Sequence, residues 1–473
     1  MLAGTSISPA IPGCRGQNNG GGRHLRSPVG RGGKCAGSRF GRWSADQYLL
    51  EEPAVAGLPG NGRVNLGVIG LGNRGTQLTE YFLKRPDVEI SYLCDVDRSK
   101  FTRATGLVEE ARSRIPKRVQ DFRQILADKD VDAVAIAAGH NWHALATIWA
   151  CQAGKDVYVE KPMSLTLYEG RKMVEAARKY ERVVQVGSQT MSAAYFRDAL
   201  DYARSGKLGD ISLVRSQLLE RMEPKLTMPK PGEQAPVPKG LDWDMWCGPA
   251  PLRPYWPGTW WWRFWDYANG GLTDHAAHHM GMARAFLNLP HPKSVCSTGG
   301  RFHVLDGSET PDTQYAVFQY EKQNIVYQGG RWLPYIDTAY QTVRKRDTYP
   351  NWLRSNRVEV LGSNAMLVTC RIGAGWQVFG KEDAPIAGGY GRPGDELHVA
   401  NFLECMRSRA QPNANVEETH QAMTLCHLMN ASLRVGGRQL IFDAASESFV
   451  NDDEANRLLK REGRAPWLIP DKV

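Results

Sequence analysis

The fold is decided by residues 64–75, VNLGVIGLGNRG. Val64–Ile69 is a short apolar run rich in β-formers, and the residues after it are crowded with glycine. Gly70, Gly72 and Gly75 fall in the spacing G-x-G-x-x-G. Three glycines at that spacing carry little information in a loop. Placed between a strand and a helix, each has a task. Gly70 permits the tight turn, Gly72 lets a backbone approach a pyrophosphate, and Gly75 lets the helix sit close to the sheet. The first helical turn, from Asn73 and Arg74, then offers its unpaired N–H groups to phosphate charge.

Reading outward, the helical stretch TQLTEYFLKR stops at Pro86, and VEISYLCD is a second strand ending in Asp95, 25 residues after Gly70. A carboxylate there accepts both ribose hydroxyls of an adenosine and repels a 2′-phosphate, so NAD is expected over NADP. Arg98, close by, would soften that preference. Further strands follow at 130–138 (DVDAVAIAA), 156–162 (DVYVEKP) and 183–189 (VVQVGSQ), with helical segments between them. Strands alternating with helices predict a doubly wound parallel sheet over residues 63–189.

Beyond residue 190 the texture changes. One amphipathic helix leads to ISLVRSQLLE, then a Pro-rich stretch over 224–258, then the strand candidates KSVCSTGGRFHV, TQYAVFQYE, QNIVYQGGRW, RVEVLGSNAMLVTC and GWQVFG. Two helices, HVANFLECMRSR and EETHQAMTLCHLMNASLRVG, lie near the end. Residues 190–473 therefore read as a second, α+β domain with a large, mostly antiparallel sheet.

Composition narrows the function classes. The net charge is +9, but residues 1–45 hold seven of the 59 Lys and Arg and no acid, which leaves 52 basic against 50 acidic residues. The folded part is near neutral, and nothing electrostatic points to nucleic acid. The nine Cys are scattered without metal-finger spacing, as expected of reduced, mostly buried thiols. No run is long enough to cross a bilayer. The Gly- and Arg-rich residues 1–62 lack the apolar centre of a secretory signal and any twin-Arg pattern, and are expected to be a disordered or extended tail. A cytoplasmic location is expected, or a periplasmic one if translation begins elsewhere.

Glu160-Lys161-Pro162 closes the fourth strand at the sheet edge where such folds bind ligands. GLGNRG, Asp95, AGHNWHA, AGKDVYVEKPMSLT, QVGSQ, DWDMWCGPAP and FWDYANGGLTDHAAHH follow in an order that resembles the Gfo/Idh/MocA oxidoreductases, over about residues 63–470. The resemblance implies an NAD(P)-dependent enzyme acting on sugars, polyols or their derivatives. It implies that Lys161 sits beside the nicotinamide and the reacting hydroxyl, and that Asp274 and His278, the D-x-x-x-H pair, complete the site. Where many relatives read T-P-D-H-W-H, this chain has Ala138-Gly139-His140-Asn141-Trp142-His143. Asn141 and His143 are expected to line the cofactor pocket, together with Glu160 and Gln189. Relatives commonly form dimers or tetramers, so a homo-oligomer is expected.

Asp274 and His278 are four apart and share one helix face, with His275 and His279 on the adjacent face. Three readings stand. His278 takes the hydroxyl proton, Asp274 orients it, and Lys161 stabilises charge on the oxygen. Alternatively the cluster binds zinc, or some of these side chains only pack. No metal is the preferred expectation. Consecutive tryptophans at 260–262 cannot all face one way; Trp262 and Arg263 are the candidates for a sugar pocket. Two activities use the same first step: oxidation of a sugar or glycoside hydroxyl, or a glycosidase that oxidises, eliminates, hydrates and re-reduces. A cofactor-bound sensor is the non-catalytic alternative.

Overall fold

The computed structural model describes residues 62–221, 225–226, 234–258, 260–333, 356–371, 375–382 and 385–473. The expectation for the N-terminal tail lies outside them.

The first sheet has six parallel strands: β1 (Val64–Ile69), β2 (Val88–Cys94), β3 (Lys117–Val119), β4 (Ala133–Ile136), β5 (Asp156–Val159) and β6 (Val184–Val186). Their order is β3-β2-β1-β4-β5-β6, the doubly wound arrangement expected. Five of these strands are legible as apolar runs, and the sixth, Lys-Arg-Val at β3, is not. Its side chains are mostly exposed at the sheet edge, so burial imposes no pattern on it.

Alternation along the strands sends side chains to two cores. Leu66, Val68, Ile90, Ala135 and Tyr158 pack on one face with Phe82 and Phe402. Ile69, Val134, Ile136 and Val157 pack on the other with Leu145, Ile148 and Met173. Phe402 belongs to the helix Asp395–Ser408, so a late segment returns to cover the early sheet.

The second sheet has ten strands: β7 (Ile211–Leu219), β8 (Ser294–Gly300), β9 (Thr313–Gln319), β10 (Asn324–Gly330), β11 (Arg357–Gly362), β12 (Met366–Cys370), β13 (Trp376–Phe379), β14 (Pro385–Gly389), β15 (Leu440–Asp443) and β16 (Ser448–Phe449). Its order is β14-β13-β12-β11-β7-β10-β9-β8-β15-β16. Every pair is antiparallel except β7 with β10, so the sheet is mostly antiparallel as expected. One face packs through Val214, Phe318, Ile325 and Val360 against Met280, Ala283, Leu425 and Leu428 of the helices Gly270–Leu287 and Val416–Arg434. Tyr315 and Val317 on β9 point the other way and are exposed. The helix Gly270–Leu287 therefore lies on one face of the second sheet, and its first turns reach Lys161, just past β5 of the first. Among the described residues no helix is long and apolar enough to cross a membrane.

Candidate active site

A continuous cleft runs along the C-terminal ends of the parallel strands. Its first part, a cavity of about 620 Å³, is lined by Gly70, Gly72, Cys94 and Asp95. Its second part, about 580 Å³, is lined by Lys161, Asp274, His278 and Arg371. Gly72, Asn73, Ala137, Ala138 and Trp261 line both.

The glycine loop behaves as its spacing requires. Gly70 has φ +86°, and a Cβ there would meet the Ala137 backbone at 2.6 Å. A Cβ on Gly75 would stand 1.8 Å from the Gly70 carbonyl oxygen, so the helix and the turn touch. A Cβ on Gly72 would meet nothing within 4 Å, which leaves open space over the loop. The helix Asn73–Leu83 has no side-chain cap, so its first N–H groups remain available beside that space. Asp95 is fixed at the cleft by two backbone donors: the N–H of Leu71 donates to Oδ2 at 2.7 Å and that of Asp97 to Oδ1 at 2.8 Å. Burial pushes its carboxyl up, against those two hydrogen bonds. Arg98, expected to face this site, instead donates from Nε to Gln120 at 2.6 Å, and Lys100 lines the cavity in its place. An open loop, uncapped donors and a pinned carboxylate fit a dinucleotide.

At the other end, Lys161 Nζ donates to both carboxylate oxygens of Asp274 at 2.9 Å. His140 Nε2 lies 3.3 Å from the same carboxylate and His275 Nε2 3.4 Å from it. Burial opposes ionisation of Asp274, but Lys161 and the two histidines outweigh it and hold its carboxyl well below the usual range. His278 lines the cavity, and burial, reinforced by Arg371 and Lys161, holds it neutral with its proton affinity far below that of free imidazole. No hydrogen bond joins it to Asp274, and its Nδ1 is buried with no hydrogen-bond partner among the described residues. The expected orienting role of Asp274 toward His278 is thus not what the geometry contains. Sharing a helix face did not suffice, because the carboxylate turns to Lys161 and His140.

The three histidines also part ways. His275 Nδ1 sits 2.5 Å from Glu220, whose carboxyl is lowered to about 2 as His275 and Arg331 outweigh its burial. His279 Nδ1 meets Ser216 Oγ at 2.9 Å. No group of three or more His, Cys, Asp or Glu with a metal-binding arrangement occurs among the described residues.

Glu160, Arg74 and Gln189 form one network on the cavity wall. Arg74 Nε donates to Glu160 at 2.6 Å, Gln189 Nε2 to the same oxygen at 3.1 Å, and Arg74 Nη1 lies 3.0 Å from Asp395. His143 lines the cavity with its nitrogens 2.8 Å from Pro162 O and 3.0 Å from Ala138 O. Burial and His140 lower it to about 4, so it is neutral and donates to only one of these carbonyls. Three expectations need correction. Asn141 is buried and spends its Nδ2 on the Cys247 carbonyl at 2.7 Å, away from the cavity. Arg263 is 3% exposed and paired with Asp306 at 2.9 Å, which makes it a core strut. Trp262 packs among guanidinium groups, with Arg331 4.8 Å from its ring centre, and does not line the cleft. Trp261 takes that place, its ring edge-on to His140 at 5.0 Å. Residues the sequence did not single out, namely His140, Glu220, Arg371 and Trp261, come from four separate elements and meet only through folding.

Comparisons with known proteins agree with this layout. Residues 64–188 match the model of an oxidoreductase family, NAD-binding Rossmann fold, and residues 229–297 and 390–469 match that of its C-terminal alpha/beta domain. A glycosyl hydrolase family 109 protein of Streptomyces niveus is 34% identical over 166 residues, 33% of this chain and 33% of that protein. The chain thus spans about a third of the length of the curated relatives it matches. Among solved structures, the WlbA dehydrogenase from Bordetella pertussis in complex with NADH and UDP-GlcNAcA superposes with a TM-score of 0.58 at 17% identity, covering 80% of this chain and 99% of that one. The aldose-aldose oxidoreductase from Caulobacter crescentus, complexed with glycerol, gives 0.59 at 16% identity, covering 80% and 100%. At these identities the two structures speak for the fold alone.

Proposed function

The chain belongs to the Gfo/Idh/MocA oxidoreductase family, and on that premise we propose that it oxidises a hydroxyl of a sugar or glycoside with NAD. The observation that carries the reading is the Lys161–Asp274 ion pair, set in a cavity continuous with the glycine-loop cleft. Bound NAD supplies the hydride acceptor, and the protein's part is to bind, orient and manage a proton. Gly72, the first turn of the helix after it, and Asp95 would hold the nucleotide.

Lys161 is an ammonium with three N–H groups. Two are directed at the Asp274 carboxylate, and the third makes only a long contact, 3.3 Å, to the Asp274 backbone oxygen, which a reacting oxygen would replace and so gain a donor for its developing negative charge. Asp274, kept ionised, holds that ammonium in place. His278 is neutral and faces the cavity, so it is in the protonation state a base requires, although its proton affinity is low. His140 shares Asp274 and stands in reach of the same space.

A second reading is favoured by the curated relatives, which carry the name glycosyl hydrolase family 109 protein. In it the oxidised carbon acidifies its neighbouring C–H, a base removes that proton, the aglycone leaves with its bonding electrons, water adds, and the ring is reduced again. No net oxidant is consumed. A screen of sugars and aryl glycosides with NAD separates the two. NADH formed in proportion to product supports the first, aglycone release without net NADH supports the second, and neither with any substrate sinks both. The exposed outer face of the ten-stranded sheet, with Tyr315 and Val317, is proposed as the surface for self-association, to be checked by the mass of the chain in solution.

A further inference from the structure

A second layer of charged side chains stands behind the Lys161–Asp274 pair. Glu220 follows β7, Arg331 follows β10 and Arg371 follows β12, so three strands of the second sheet end here, beside the first turns of the helix Gly270–Leu287. Arg371 lines the catalytic cavity; His275, Glu220 and Arg331 do not. Glu220 is 4% exposed and its backbone is fixed on both sides. Its N–H donates to Gly330 O at 2.8 Å, and its carbonyl accepts from the N–H of Leu333 at 3.2 Å. Its carboxylate lies 3.3 Å from Arg331 Nε and 2.5 Å from His275 Nδ1.

His275 thus stands between two carboxylates, with Nδ1 toward Glu220 and Nε2 3.4 Å from Asp274 Oδ2. Burial holds its imidazole below the ordinary value, aided by Arg371 and Arg331 and opposed by Glu220. The ring is therefore neutral at pH 7 and carries a single N–H. That proton sits on Nδ1, because the ionised Glu220 at 2.5 Å needs a donor there. Nε2 then turns a lone pair toward Asp274, across a gap longer than a normal hydrogen bond. A proton arriving on Nε2 would turn two facing acceptors into a hydrogen bond and leave an imidazolium with a carboxylate at each nitrogen. The other two cavity histidines lack that setting. His278 stands beside Arg371 and Lys161, and its Nδ1 has no hydrogen-bond partner among the described residues. His140 meets Asp274 from Nε2 at 3.3 Å, but its Nδ1 is buried with no such partner.

We propose that His275 receives and stores the proton that the sugar hydroxyl gives up on oxidation, with Glu220 as its positioning residue. This rests on reading the cleft as a site of hydroxyl oxidation. As the C–H bond breaks, its hydrogen leaves with both bonding electrons for the nicotinamide ring. The O–H bond breaks too, and its electron pair becomes the second carbon–oxygen bond. The hydroxyl proton passes to Lys161 Nζ while one ammonium proton moves to Asp274, and a proton moves from Asp274 to His275 Nε2. Lys161 ends as an ammonium and Asp274 as a carboxylate, as they began. The positive charge lost by the nicotinamide reappears on His275. In net oxidation the stored proton later goes to water. In the cycling reaction it returns by the same path when the ring carbonyl is reduced.

The first test needs no nucleotide. Nitrogen NMR of the full chain with labelled histidine rings reads the tautomer, and the His275 signal is the one lost in His275→Gln or displaced in Glu220→Gln. A neutral ring protonated on Nδ1 is expected at pH 7; a ring protonated on Nε2 overturns the proposal. The second test uses the full chain loaded with NAD and the first sugar or aryl glycoside that forms NADH in the screen. Proton release, followed with a pH indicator in weak buffer, should trail NADH formation. Release in step with NADH from the unaltered chain overturns the proposal, and that measurement needs no variant to fold. His275→Gln can still donate to Glu220 but cannot gain a proton. It should slow hydride transfer about 100-fold or more and remove the lag; an unchanged rate and lag overturn the proposal. The groups facing His275 are Glu220, Arg331 and Arg371 from the strand ends, and Asp274, His278 and His279 from its own helix. Without the Glu220 charge the ring stays neutral further into acid. The acid limb of single-turnover oxidation should therefore move down in Glu220→Gln by about 1 to 3 in pH. A slower variant with an unmoved limb shows a merely structural Glu220 and overturns its part. If no sugar or glycoside forms NADH, the oxidation reading itself fails, not merely the store.

Discussion

Replacing Lys161 with Met keeps the length and apolar volume of the stem and removes only the ammonium. Two of its donors are directed at the Asp274 carboxylate at 2.9 Å and the third makes a long contact of 3.3 Å to the Asp274 backbone oxygen, so the variant loses the one donor that a reacting oxygen can take over. Loss of a single preorganised donor to a developing oxyanion costs about 3 kcal/mol, or roughly 150-fold in turnover. Nucleotide binding should hold, because Gly70 and Asp95 line the other part of the cleft from Lys161. A second effect falls on stability. Asp274 keeps only His140 at 3.3 Å and His275 at 3.4 Å, and a buried charge stripped of its partner costs about 3 kcal/mol or more. The sign with pH follows from the depressed carboxyl of Asp274. Its stabilisation is present above the ordinary carboxylate range and is lost as pH falls through its folded value. The stability gap between the chain and Lys161→Met should therefore be widest near neutrality and shrink in acid. The assay is single-turnover oxidation in the NADH-binding-competent variant, beside urea melts at several pH values. A fall in turnover of less than about threefold, with nucleotide loading intact, refutes the reasoning about the ion pair.

Gly72→Ala and Gly75→Ala should separate binding from folding. The first meets open space and should melt within about 0.5 kcal/mol of the parent while losing NADH affinity by isothermal titration; the second drives a methyl into the Gly70 carbonyl and should fail to fold or lose more than about 3 kcal/mol. Glu220→Gln removes a carboxylate lowered to about 2, whose stabilisation is present above its unfolded value near 4.5 and lost as pH falls toward 2. The variant should be less stable at pH 7 by on the order of 3 kcal/mol and converge on the parent in strong acid, as thermal melts across pH would show. Arg263→Ala should cost about 1.5–3 kcal/mol, because buried Asp306 loses one arginine partner but keeps Arg301 at 3.1 Å, with the KM for the sugar unchanged. A raised KM with unaltered melting would restore Arg263 to the substrate pocket.

The parallel sheet was legible because strands buried on both faces are apolar through nearly all their length, as Ala133–Ile136 and Asp156–Val159 after its first residue are. Its edge strand Lys117–Val119 was not, since an exposed edge places no such demand. The short strands Pro385–Gly389 and Leu440–Asp443 were missed for the same reason, being brief and close to the margins of the large sheet. Within the site, Gly70, Gly72, Gly75, Asp95, Lys161 and Asp274 were readable because backbone geometry or a local motif determines each one. The partners of Asp274 were not. Spacing of four along a helix pointed to His278, yet side-chain rotamers and two distant segments decide that the carboxylate meets Lys161 and His140, beside its neighbour His275. The tryptophans misled in a similar way. Their number was plain, but only the hydrogen bonds of Gly240 and Asp242 to the end of β2 show which half of the cleft they cover.

The central claim is that this cleft passes a hydride from a sugar carbon to a nicotinamide beside Lys161. It is tested most directly with sugars and glycosides deuterated at their ring carbons, followed by mass spectrometry of the nucleotide released from the chain. Net oxidation predicts an NADH one mass unit heavier from the unaltered chain; the redox-cycling activity predicts the heavier NADH in samples quenched during turnover, with the deuterium returned to the sugar carbon at the end. Lys161→Met should give at most a trace of either. No deuterium in the nucleotide with any sugar or glycoside, from a chain shown to hold NAD, would contradict the account.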